Sequence, residues 1–107
     1  MVIRNAASHA QFRPDKMRKA DLASADNLFA GLNAFEPGQQ HKLHTHPGQD
    51  KLYYVLEGEG DVTVNDQTTR IGPGDLVLAK DGEPHALANN SDQRLVVMVV
   101  MAPPPKR

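Results

Sequence analysis

The sequence predicts an all-β domain, a single small antiparallel β-barrel, and three observations carry that expectation. Short runs of β-branched, aromatic or alternating apolar residues recur at intervals of roughly 8–12 residues, each closed by Gly, Pro, Asn or Asp. No window of about ten residues holds a sustained helical stripe. At 107 residues the chain has room for one core, burying roughly 65% of the surface that an unfolded chain exposes.

Residues 1–15 show no period, and Pro14 argues against a helix through them, so they read as a loose N-terminal arm. The barrel is expected over residues 16–102. Lys16–Asp21 reads as a short strand, in competition with one turn of helix over Ala20–Ala25. Asp26–Phe35 is a better strand, with Leu28, Ala30, Leu32 and Ala34 on one face and Phe29, Asn33 and Phe35 on the other. Glu36-Pro37-Gly38 stops it, and a segment carrying His41, Lys42, His44 and His46 follows, up to a Pro47-Gly48 turn. Leu52–Leu56 is dense in β-formers and ends at Glu57-Gly58-Glu59-Gly60. Asp61–Val64 then alternates, Asn65-Asp66 makes a hairpin turn into Thr68–Ile71, and Gly72-Pro73-Gly74 is a sharp break. Leu76–Ala79, His85–Asn89 and a final buried strand Leu95–Met101 complete about eight to ten strands, separated by turns at Asp81-Gly82 and Asn90-Ser91-Asp92. Residues 103–107, three of them proline, are expected as an exposed tail.

Twelve basic and thirteen acidic residues nearly cancel, which gives no overall pull toward nucleic acid or an anionic membrane. Residues 1–20 are locally basic, with Arg4, Arg13, Lys16, Arg18 and Lys19 against Asp15, and read as a solvated arm. The partner is expected to be a small molecule. The absence of cysteine removes disulfides, thiolate nucleophiles and Cys-type zinc sites together, and fits a reducing compartment. The longest apolar run, Leu95–Ala102, is far too short to span a bilayer, and a cytoplasmic location is the default expectation. Neither a P-loop nor a dinucleotide fingerprint is present, and none of Ser8, Ser24 and Ser91 sits in a nucleophile-elbow context. Strands that fill the chain leave no segment for a helix-turn-helix.

The residues that carry chemistry are histidines. His44 and His46, one residue apart, share a face of a strand and can aim at one point. His85 shares a face with Leu87 and Asn89 on a later strand, whereas His41 has the opposite parity to His44 and reads as a surface residue. Tyr53 and Tyr54 fall on opposite faces, so one of them walls the interior.

From Gly38 the chain reads G-Q-Q-H-K-L-H-T-H-P-G-Q-D-K-L-Y-Y-V-L-E-G, and from Gly74 it reads G-D-L-V-L-A-K-D-G-E-P-H-A-L-A-N. These stretches resemble the first and second motifs of the cupin family, G-x5-H-x-H-x3-4-E-x6-G and G-x5-P-x-G-x2-H-x3-N, with Lys80 in the place of the second motif's proline. The resemblance implies a small single-domain cupin, a double-stranded β-helix or jelly roll, with His44, His46 and His85 converging on one divalent transition metal. Three imidazoles suit Fe, Mn, Ni, Cu or Zn. The family's glutamate is replaced. Counting back from Gly58 it falls on Lys51, which cannot ligate when protonated; counting forward from His46 it falls on Asp50, and Gln49 lies one residue nearer. Strand parity sets Lys51 with Tyr53 and Val55, and Asp50 with Leu52 and Tyr54. Gln49 or Asp50 is therefore the expected oxygen ligand, with water as the alternative.

The resemblance further implies a homodimer and a metal-binding barrel that acts on, or binds, a small organic molecule. A dioxygenase-like, isomerase or lyase reaction is the leading expectation, and a non-catalytic sensor or storage barrel for a ligand or metal is the alternative.

Overall fold

Each apolar alternation becomes a strand, and the strands stack as two sheets with their apolar faces inward. The computed structural model describes residues 1–45 and 47–105. Among the described residues the strands are β1 (Arg18–Ser24), β2 (Phe29–Phe35), β3 (Gln40–His44), β4 (Asp50–Glu57), β5 (Gly60–Val64), β6 (Gln67–Ile71), β7 (Leu76–Ala79), β8 (His85–Ala88) and β9 (Leu95–Ala102). One sheet has the order β1-β2-β9-β4-β7 and the other β3-β8-β5-β6, and every ladder in both is antiparallel. This is the expected jelly roll.

Register explains the core. On the larger sheet Phe35 lies opposite Leu95, while Val97 is flanked by Asn33 and Val55 and Val99 by Gly31 and Tyr53, so odd-numbered positions share the inner face. They pack against Val62, Ile71 and Leu87 from the smaller sheet. β9 is the central strand of its sheet rather than an edge, which accounts for its unbroken apolar run.

Residues Ala20–Ala25 do not form helix. Most of that stretch belongs to β1, where Ala20 pairs with Leu32 and Asp21 with Gly31, and a register shift between Asp21 and Ala23 absorbs the mismatch. Cross-strand pairing outweighs the weak helical preference of the alanines. The arm is also less loose than expected. Ala6–His9 make one 3-10 turn, the Arg13 carbonyl accepts a 2.7 Å hydrogen bond from Gln39 Nε2, and the Arg94 guanidinium sits 4.1 Å from the Phe12 ring centroid.

Two small features fix the corners near the site. Gly58 has φ +80°, and a Cβ there would run into the Arg94 carbonyl oxygen. Asn89, at the end of the second motif, is buried; its amide donates to the Phe35 and Gln93 carbonyls, while its backbone carbonyl accepts from Gly38 N–H at 2.7 Å. Asn89 therefore ties the end of the second motif region to the start of the first, a structural role.

Candidate metal centre

The site is built where β3 ends and β8 begins. His44 and His85 are direct partners in the β3–β8 ladder, and their ring centroids lie 4.2 Å apart at 64°. His44 Nδ1 lies 2.7 Å from the Lys42 carbonyl oxygen and His85 Nδ1 2.9 Å from that of Glu83, so each ring is latched to the carbonyl two residues upstream. A carbonyl oxygen can only accept, so Nδ1 carries the proton in each neutral ring and the lone pair falls on Nε2. Both Nε2 atoms are buried. Backbone carbonyls that fix ring orientation and tautomer in this way are the usual outer support of metal-binding histidines, and the donor set fits a divalent transition metal.

His46 lies outside the described residues. Among the described residues no group of three or more His, Asp or Glu is arranged to hold a metal ion, so His44 and His85 are the two expected ligands that the structure brings together. His41 joins them unexpectedly. A register shift between His41 and His44 breaks the strand's parity, and the His41 ring stacks on His44 at 4.1 Å and 28°. The signal that could have revealed it is the three-residue spacing itself, which brings side chains together only across a bulge.

Gln49 and Asp50 are engaged elsewhere. Gln49 Nε2 donates to the Pro103 carbonyl at 2.9 Å, and Asp50 Oδ1 accepts from Asp81 N–H at 2.9 Å. Asp81 Oδ1 in turn accepts from Gly48 N–H at 2.6 Å, so the loop after β3 and the loop after β7 are clamped together.

Lys51 takes the inward position that parity assigns it. It is 3% exposed and its Nζ sits 5.0 Å from the centroid of the Tyr53 ring, itself fully buried and 6.1 Å from the His85 ring. Burial, reinforced by the charge of Lys19, lowers the Lys51 pKa to about 8. Burial also holds the Tyr53 hydroxyl well above its ordinary value. His85 is held below the ordinary histidine range, by burial first and then by the Lys51 charge, against the opposing pull of the Glu83 carbonyl and carboxylate. The shifts at His85 and Tyr53 favour the neutral imidazole and phenol, the forms that suit ligation and hydrogen-bond donation.

A family model described as "Cupin domain" matches residues 31–101. Among curated proteins, the chain is 30% identical over 87 residues to the "Oxalate-binding protein" of Thermotoga maritima, covering 79% of this chain and 71% of that one. A solved structure from Thermus thermophilus superposes with a TM-score of 0.93 at 37% identity, covering 98% of this chain and 100% of that chain. Another, from Thermotoga maritima and described as a "predicted oxalate decarboxylase", gives a TM-score of 0.82 at 25% identity over 95% of this chain and 98% of that one.

Proposed function

The chain belongs to the cupin domain family, and on that premise we propose that it holds one divalent transition metal on His44, His46 and His85 and binds a small organic molecule there through an oxygen donor. The observation that carries this reading is the matched pair His44 and His85, facing each other in register with both Nδ1 atoms latched to carbonyls. His41, stacked on His44, supports that ring's orientation. When bound, the metal supplies Lewis acidity toward the ligand's oxygen and open positions for a second small ligand. The protein supplies the proton-bearing groups beside it, the Lys51 ammonium and the Tyr53 hydroxyl. These complement a reaction that builds negative charge on a substrate oxygen, as isomerase, lyase and dioxygenase-like steps do. The binding-only alternative draws on Lys51 standing where the family motif has a carboxylate, since no general base then occupies that position.

Protein purified without chelator, then stripped and titrated with Fe, Mn, Ni, Cu and Zn ions, is expected to take up close to one equivalent per chain. Elemental analysis that finds no metal, together with no uptake on titration, overturns the site.

The homodimer is also proposed, with its interface on the outer face of β4 and β7. Tyr54, Leu76 and Leu78 are 40%, 63% and 49% exposed, and cross-strand pairing places Tyr54 beside Leu76 and Leu52 beside Leu78, a contiguous apolar patch. Light scattering is expected to give twice the chain mass, reverting to the chain mass in the double variant Leu76→Asp, Leu78→Asp; a monomeric parent overturns this.

A further inference from the structure

A cavity of about 430 Å³ opens on the inner face of the larger sheet, between β1, β2, β9 and β4. Cross-strand pairing sets Lys19 beside Asn33 and Lys51 beside Met101, and all four side chains border the same space, with Phe29 and Val99 as further apolar wall.

Lys51 is poorly provided for in this place. It is 3% exposed, yet among the described residues it makes no ion pair and no hydrogen bond, and its Nζ lies 5.0 Å from the Tyr53 ring centroid. A buried ammonium without a counter-charge is costly. Lys19 adds a like charge, and burial together with that charge brings the Lys51 pKa to about 8, which leaves free amine able to react. Asn33, 4% exposed, also has a side chain without a hydrogen-bond partner among the described residues. Asp21 is the one carboxylate lining the cavity, and it forms no ion pair with Lys51. The Lys19 ammonium and the Asn33 amide are suited to hold an anion, whereas the group buried beside them is a cation.

We propose that Lys51 takes up carbon dioxide as a carbamate, an N-carboxylated lysine whose new carboxylate lies in the cavity with the Lys19 ammonium and the Asn33 amide as its partners. The lone pair of the free amine attacks the carbon of carbon dioxide and an N–C bond forms. One C=O electron pair moves onto oxygen and Nζ releases a proton to water, so nothing is oxidised or reduced. The position changes from cation to anion. Repulsion by Lys19 becomes attraction, Asn33 gains an acceptor, and the apolar wall limits the access of water to a group that breaks down when protonated. A carbonyl compound, the other common partner of a buried amine, would give an imine, which brings no negative charge for Lys19 and Asn33 to meet. The carbamate also sets a carboxylate at the motif position where Lys51 replaces glutamate. Carbon dioxide thereby selects which charge stands there, the ammonium of the unmodified chain being the proton-bearing group of the proposed function. The modification itself does not rest on the metal centre.

The test incubates the full chain with isotopically labelled bicarbonate, traps carbamates with an alkyl oxonium reagent and maps the alkylated residues by peptide mass. The parent should carry the trapped group on Lys51, and its carbon NMR spectrum should show a carbamate resonance that Lys51→Met lacks. Asn33→Leu should need about 5-fold more carbon dioxide for half occupancy, as loss of one neutral hydrogen bond implies. Lys19→Glu should need at least about 10-fold more, because the neighbouring charge then favours the ammonium. A trapped group confined to the terminal amine and exposed lysines overturns the proposal, and so does Lys51 occupancy that is unchanged in both Asn33→Leu and Lys19→Glu. If Lys51→Met does not fold, the peptide map of the parent and the two other variants decide.

Discussion

Replacing His85 by alanine is expected to lower affinity for a divalent metal at least about 100-fold, more than the loss typical of an outer-shell partner. His85 is 2% exposed, latched at Nδ1 to Glu83, and the in-register partner of His44, so no neighbouring group can take its place without moving a strand. His44→Ala should lose as much. His41→Ala should lose less, about 10-fold, because its ring stacks on His44 and acts on the metal through that contact. The three variants, compared by competition with a chelator of known affinity, separate ligand from support. Equal losses in all three would make His41 a ligand, and full retention in His85→Ala would remove the site from β8.

Gly58→Ala is expected to destabilise the fold by about 4 kcal/mol or more, in the range reserved for core cavities and backbone strain. The substitution meets two penalties at once: a φ of +80° that an alanine adopts poorly, and a Cβ directed into the backbone carbonyl of Arg94. Backbone cannot move aside as a flexible side chain can, so β4 would have to part from the turn before β9. Urea unfolding should show a lower midpoint with an unchanged slope. A loss below about 1 kcal/mol would mean that this corner relaxes without cost. Gly74→Ala is the useful comparison, since it shares a positive φ (+89°) but has open space around it, and should cost only the conformational part.

The order of strands and turns was legible in the sequence because alternation and Gly/Pro breaks are local signals. Leu52–Leu56, Thr68–Ile71 and Leu95–Met101 could be read without any partner in view. Parity also carried further than composition, placing Lys51 with Tyr53 and Val55 on the inner face. It failed at His41, because parity presumes a regular ladder and the bulge before His44 is a property of two strands together. The arm was misread for a similar reason: the acceptor role of the Arg13 carbonyl and the seat of Phe12 under Arg94 depend on residues far along the chain. Asn33 and Lys51 as walls of one cavity could not be read at all, since β4 and β2 become near neighbours only through β9 between them.

The direct pairing of His44 with His85 has one more consequence. The two residues are roughly forty positions apart in the chain, so an ion shared between them closes a long loop that exists only when β3 and β8 are together. In the proposed site the ion would work as a reversible staple: at a free concentration a thousand times its dissociation constant it would add about 4.1 kcal/mol to the folded state, and at trace levels almost nothing. With that ion bound, resistance to heat and proteolysis would follow the surrounding supply of metal, and a chelator is expected to act on this chain as a mild denaturant does.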